Sequence, residues 1–172
     1  MFYSRYVSLG GFRAGHSTET AVLRVLSDLL QAADSGESGV LALLDLSAAF
    51  DTVDYAILLE RLETSLGLSG SVLNWFRSYL LDRTQYVRCG SSRSVATRLE
   101  CGVPEGSVLG PLLFVTYTTD LVGIVERHGI CPHLYADDTQ VYGSCPAAAV
   151  GDLQLRLSAC IDDVVRWMRS SL

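Results

Sequence analysis

Two adjacent carboxylates, Asp137 and Asp138, follow Tyr135-Ala136 and stand between two short apolar, β-prone runs, residues 130–134 and 139–142. This pattern asks for a strand, a tight turn and a second strand, with two like charges sharing one bend. Such an arrangement is costly unless something positive sits beside it. A divalent cation is the usual remedy, because hard oxygen ligands suit Mg²⁺ and a bound ion reverses the local charge logic. An isolated Asp-Asp turn is commonly just a solvated loop, so its meaning depends on what else the chain carries.

A third carboxylate closes another apolar run. Val40-Leu41-Ala42-Leu43-Leu44-Asp45 has the short, continuous hydrophobic character of a strand buried on both faces, and Ser35-Gly36-Glu37-Ser38-Gly39 before it reads as a loop. An acid at the end of such a strand lies at the carboxyl edge of the sheet, where open α/β sheets tend to place ligands. Two strands that end in acids can bring Asp45, Asp137 and Asp138 together. Three carboxylates are the minimal ligand set for a pair of metal ions about 3.5–4 Å apart, the arrangement that clamps both oxygens of an in-line phosphoryl transfer.

Three segments stand in a fixed order: Leu44-Asp45-Leu46-Ser47-Ala48-Ala49-Phe50-Asp51, then Gly102-Val103-Pro104-Glu105-Gly106-Ser107-Val108-Leu109-Gly110-Pro111, then Tyr135-Ala136-Asp137-Asp138. They resemble motifs A, B and C of a reverse transcriptase. Upstream, Gly11-Phe12-Arg13-Ala14-Gly15-His16-Ser17-Thr18 is similar to the segment before motif A in non-LTR (LINE-type) retrotransposon polymerases. Trp75-Phe76-Arg77-Ser78-Tyr79-Leu80, followed by Arg83 and Gln85, resembles the same group.

The resemblance implies RNA-directed DNA synthesis, with an RNA template, a DNA primer and deoxynucleoside triphosphates as partners. It implies two Mg²⁺ ions, or Mn²⁺ in their place. Asp45 and Asp137 match the acids that bind both metals, and Asp138 matches their less directly coordinating neighbour. Phe50 falls where the family keeps a bulky aromatic that leaves no room for a 2′-hydroxyl, a discrimination by clash. Leu46 and Ser47 match positions whose backbone N–H groups face the triphosphate. Arg13 lies in the neighbourhood of a basic triphosphate contact, and Tyr135 matches a residue beside the primer end. Gly106 and Gly110 match glycines that let backbone approach template or nucleotide closely and open the helix that follows. At Glu105 the chain departs from the pattern, because the family usually has Gln there. Ionised Glu only accepts hydrogen bonds and adds a negative charge near a triphosphate. The resemblance also places the thumb, and a Lys that assists the leaving pyrophosphate, beyond this chain. A truncated, inactive retroelement remnant with at most a binding role is therefore the alternative function.

Composition bounds the rest. The 172 residues suit a single domain, 49% hydrophobic and long enough to bury a sizeable core. On the family pattern residues 1–39 would be a fingers remnant and 40–172 palm. No apolar run approaches the roughly 18 residues that span a bilayer, and the amino terminus does not read as a signal peptide, so an intracellular protein of cytoplasm and nucleus with no membrane or protein partner is expected. Five scattered cysteines fit reduced thiols; His128, Cys131 and His133 have a loosely metal-like spacing but no fourth ligand. The net charge of −6 is unusual for a nucleic-acid binder, and all 13 basic residues are Arg. Arg77, Arg83, Arg88, Arg93 and Arg98 gather between motifs A and B, where a local basic strip along a primer–template duplex and a plain solvated face explain them equally well.

Capping chemistry at residues 16–19 predicts a helix reaching Ala33, with Val22, Val25, Leu26, Leu29 and Leu30 on its apolar face. Helices are further predicted over 54–66, 71–81, 111–125 and 147–169. A hairpin is predicted over 84–101 around Gly90-Ser91-Ser92, and another at the paired acids. The expected fold is an α/β (α+β) polymerase palm: a small, mostly antiparallel sheet with helices on one face, and part of the fingers.

Overall fold

Ser17 starts the first helix with a reciprocal cap: its hydroxyl accepts from the Thr20 N–H at 3.2 Å, and the Thr20 hydroxyl accepts from the Ser17 N–H at 2.8 Å. The computed structural model describes residues 17–45, 49–104, 106–135 and 138–171. In chain order its elements are α1 Thr18–Asp34, β1 Glu37–Asp45, α2 Tyr55–Thr64, α3 Gly70–Leu80, β2 Thr84–Gln85, β3 Arg88–Cys89, β4 Ser92–Arg93, β5 Thr97–Arg98, α4 Leu109–Arg127, β6 Cys131–Tyr135 and β7 Asp138–Pro146. A 3₁₀ turn, Ala147–Ala149, then leads into α5, Val150–Ser171. The fold is mixed α/β with small antiparallel sheets. Two compact units divide it, Met1–Ser47 with Thr118–Ser170, and Ala48–Tyr117 with Ser171–Leu172.

In the first unit β7 is the central strand, paired antiparallel with β1 on one side and β6 on the other. Strand register fixes which side chains share a face, since directly opposed residues point the same way. One face carries Gly39, Leu41, Leu43 and Asp45 of β1 opposite Ser144, Tyr142, Gln140 and Asp138 of β7. Helix α1 packs on this face, where Val25 and Leu29 meet Cys131 and Tyr142. The Tyr142 hydroxyl donates to Asp28 of α1 at 2.6 Å, and burial together with that carboxylate raises the phenol's pKa. The opposite face packs on α5, with Leu153 standing 3.5 Å from where a Cβ on Gly143 would lie. Helices therefore lie on both faces of the sheet, not on one.

Two expected burial patterns are also corrected. Among the described residues strand β1 is an edge strand, and it is not buried on both faces, for Leu41 and Leu43 are 43% and 69% exposed. On α1 the stripe that faces the sheet is Ala21, Val25, Leu29 and Ala32, while Val22, Leu26 and Leu30 are exposed. Val and Leu fill two neighbouring stripes of that helix, and only the small alanines let the backbone approach the sheet.

His133 of β6 is buried on the α1-bearing face, and its Nε2 has no hydrogen-bond partner. Desolvation first, and Arg24 second, lower its pKa below 6.5, opposed by Asp28. The unfolded chain thus binds a proton that the native state refuses. His133 is expected to lose the protein stability as pH falls below 6.5 toward the lowered native pKa, and to contribute no further change below both. Urea melts of the wild type and His133→Gln across pH 4–8 check this: the difference between the two should vary in that window and be flat above it.

The second unit is built on α2 and α3. Tyr55, Leu58, Leu59 and Leu62 form the buried stripe of α2, started by Asp54, whose carboxylate accepts from the Ile57 N–H at 2.9 Å. Leu73 and Leu80 are buried on α3. Fully burying such a side chain contributes about 1.5–3 kcal/mol. Helix α4 is long and apolar enough to cross a membrane by length and composition, an outcome the sequence expectation had excluded. Its Leu113, Tyr117, Leu121 and Val125 recur every four residues and are all buried, as in a core helix.

Candidate active site

Asp45 ends β1 directly opposite Asp138, the first residue of β7, and Asp138 is also the register partner of Tyr135, the last residue of β6. In an antiparallel ladder this sets the Cα atoms of each pair about 4.5–5.5 Å apart, with the two carboxylates on one face. Both Asp45 and Asp138 are exposed, and Tyr135 is half-buried. Like charges directly opposite one another are destabilising, yet no described basic residue pairs with either acid. The donor set is all oxygen, without an ion-pair partner among the described residues and open to solvent, which fits a hard divalent cation. Among the described residues no group of three or more potential ligands is gathered. Asp137, however, lies outside the described residues, as do Arg13, Leu46, Ser47 and Glu105.

The loosely metal-like trio is separated by its bonding. His128 Nε2 lies 3.0 Å from Asp163, and His133 is enclosed beneath α1.

In the second unit the chain after Asp45 is tied to the segment that leads into α4. The Val103 N–H donates to the Phe50 carbonyl at 2.7 Å and the Gly102 N–H to the Val53 carbonyl at 2.8 Å. The Tyr55 hydroxyl donates to the Cys101 carbonyl at 2.6 Å, and Arg83 Nη1 to the Gly102 carbonyl at 2.7 Å. Burial raises the Tyr55 pKa, opposed by Arg83, so the phenol remains a donor. The half-buried Phe50 ring rests against Phe114 of α4, centroids 4.9 Å apart.

Motif B's glycines have reasons inside the protein. At Gly102, φ is +91° and an added Cβ would lie 3.0 Å from the Asp51 carbonyl oxygen. At Gly110 it would lie 2.6 Å from the Pro104 oxygen, a separation real Cβ atoms essentially never show. Ser107 organises the same turn, donating to the Pro104 carbonyl at 2.7 Å and accepting from the Gly110 N–H at 2.9 Å. Gly106 is exposed with φ +72° and nothing within 4 Å. Sequence reasoning quoted Ser107 without a role and placed Arg83 in a basic strip rather than on the Gly102 carbonyl; a Ser three residues before Gly110 at the head of an apolar run was the readable capping signal for the first. Gly102→Ala is expected to cost on the order of 1–3 kcal/mol in a urea melt, because the residue meets both a left-handed backbone and an occupied space.

Comparison with known proteins follows the same residues. A family model described as reverse transcriptase (RNA-dependent DNA polymerase) matches residues 7–171. The chain is 36% identical over 166 residues to a probable RNA-directed DNA polymerase from transposon BS of Drosophila melanogaster, covering 92% of this chain and 18% of that protein. It is 32% identical over 165 residues to the RNA-directed DNA polymerase from mobile element jockey of Drosophila funebris, covering 91% and 18%. The chain thus spans 18% of the length of these two relatives. Among solved structures, a chain of a partial Cas6-RT-Cas1–Cas2 complex matches 77% of this chain and 22% of its own length at 26% identity and a TM-score of 0.37, too loose to establish a shared fold.

Proposed function

The chain belongs to the reverse transcriptase family, on the non-LTR retrotransposon side, and from that premise we propose that it forms the nucleotidyl-transfer centre of an RNA-directed DNA polymerase. The primer's 3′-hydroxyl oxygen bonds to the α-phosphorus of a deoxynucleoside triphosphate, the bond to the bridging oxygen breaks, and pyrophosphate leaves. The observation that carries this reading is the cross-strand pairing of Asp45 with Asp138 at the ends of β1 and β7.

Asp45, Asp137 and Asp138 form the acidic pocket. Two Mg²⁺ ions, or Mn²⁺, held there supply Lewis-acid stabilisation of the charge that develops on the transferring phosphoryl group. The other residues bind and orient. Leu46 and Ser47 present backbone N–H groups, and Arg13 a guanidinium, to the triphosphate. Phe50, braced by Phe114, excludes a 2′-hydroxyl. Gly106 lets the backbone come close to the nucleotide, and Tyr135 packs near the primer end. In such a scheme most of the acceleration comes from positioning and preorganised charge.

Primer extension on poly(rA)/oligo(dT) with Mg²⁺ tests this. Product from the wild type that disappears in Asp137→Ala is the expected result; equal product from both contradicts it. Glu105 and the net charge of −6 favour a second reading, a catalytically inactive retroelement remnant with at most a binding role. On the polymerase reading, Glu105→Gln is expected to lower the KM for the incoming nucleotide in steady-state incorporation, and unchanged KM discards the idea that Glu105 impairs nucleotide affinity.

A further inference from the structure

The segment from Arg83 to Leu99 carries four arginines and no acid, in a chain whose net charge is −6. It folds as one hairpin: Thr84 opposes Arg98, Gln85 opposes Thr97, Arg88 opposes Arg93 and Cys89 opposes Ser92. Between these ladders the Ser94 N–H donates to the Val87 carbonyl at 2.9 Å, which leaves Val95 and Ala96 facing Tyr86 alone, a bulge. Both strands are exposed on both faces, so no core dictates what the hairpin presents.

Register places Tyr86, Arg88, Arg93 and Arg98 on one face. Arg88 and Arg93 are directly opposed, a like-charge pair that costs stability in isolation. Neither is paired with a carboxylate among the described residues. The Arg93 guanidinium instead lies 3.6 Å over the Tyr86 ring, which holds it in place, and Arg88 donates from Nε to the Gly90 carbonyl at 3.3 Å. Arg98 meets Asp82 at 2.8 Å, but with side chains 65% and 83% exposed that ion pair is worth little and is readily exchanged. Arg83 is committed to the Gly102 carbonyl and anchors the hairpin's base.

We propose that this hairpin face grips the phosphate backbone of a nucleic-acid duplex, with Arg88 and Arg93 straddling phosphates and Tyr86 fixing the second guanidinium. Two opposed, unneutralised guanidiniums fit an anion between them, and arginine's fork matches phosphate oxygens. The inference rests on the polymerase reading for the choice of polyanion. It adds the element that holds the duplex, offsetting the chain's acidic balance by concentrating positive charge on one arm.

Fluorescence anisotropy of the full chain with a labelled RNA–DNA hybrid, between 50 and 200 mM salt, tests the proposal. Arg88→Gln/Arg93→Gln is expected to reduce the steepness of log affinity against log salt by about two, one per arginine, irrespective of oligonucleotide sequence. Arg127→Gln/Arg169→Gln, which removes the same charge elsewhere, should leave the slope in place. Because the hairpin arginines are exposed, circular dichroism of the variant should match the wild type. A wild type that binds while the hairpin variant keeps its slope overturns the grip and leaves the polymerase reading standing. A wild type that binds no hybrid at low salt overturns both, and arginine-dependent binding of poly-glutamate instead would identify an acidic protein as the occupant.

Discussion

Asp45→Asn is expected to reduce templated incorporation by a factor of about a thousand or more while leaving the protein folded. Metal-held charge stabilisation is worth several kcal/mol in the transition state, and each 1.36 kcal/mol is tenfold in rate. The same variant carries a second signature that a purely structural residue would lack. Asp45 faces Asp138 across the β1–β7 ladder with no described cation beside it, so removing one charge relieves a repulsion of roughly 0.2–1 kcal/mol. In EDTA the variant should therefore melt slightly higher than the wild type. Added Mg²⁺ should raise the wild-type Tm, because an ion that binds only the native state stabilises it, and should leave the variant nearly unmoved. Primer extension and calorimetry with and without Mg²⁺ check both halves; a variant that loses Tm in EDTA would mean the carboxylate serves the fold.

Phe114→Ala is expected to produce the largest loss of stability, about 3–5 kcal/mol, the range for truncating a fully buried aromatic. The ring is 1% exposed and stacks at 4.9 Å, tilted 31°, on Phe50. Against total stabilities of about 5–15 kcal/mol this is a large share. Phe50→Ala should cost less, since Phe50 is only half-buried. Function should separate the two further. A milder change, Phe114→Leu, keeps most of the packing and withdraws the brace behind Phe50, so exclusion of ribonucleotides should weaken more than deoxynucleotide incorporation. Urea melts and the ratio of kcat/KM values for the two nucleotide types are the measurements.

Local chemistry was legible from the sequence where it was self-contained. The Ser17 cap, the helix after Asp54 and the hairpins at Gly90 and at the paired acids all emerge close to their expected places, because caps, breakers and turn residues act over a few positions. Helix α4 runs two residues longer at each end than expected, since Leu109-Gly110 and Glu126-Arg127 contain nothing that forbids helix. Burial was less legible. Val40 to Leu44 reads as a strand covered on both sides, yet among the described residues β1 is an edge and leaves Leu41 and Leu43 exposed. Nothing in a run of Leu and Ala says which neighbour covers it. The two apolar stripes of α1 posed the same ambiguity, resolved by Ala21 and Ala32, whose small size permits close packing.

At the site, the sequence placed the acids on two strands but did not show that Asp45 would be the register partner of Asp138; register belongs to the pairing, not to either strand. The glycines of motif B were expected to let backbone approach a ligand and to open the helix that follows. Gly110 does lie in the first turn of α4, and it also makes room for the Pro104 carbonyl, a contact between residues six apart that no periodicity reveals.

Anomalous diffraction from crystals soaked in Mn²⁺ examines the carboxylate cluster most directly. The predicted result is a peak at the ends of β1 and β7, beside the carboxylates of Asp45, Asp137 and Asp138, and absent from Asp45→Asn crystals. A wild-type map without density there, or with the three carboxylates turned to different faces of the sheet, would contradict it.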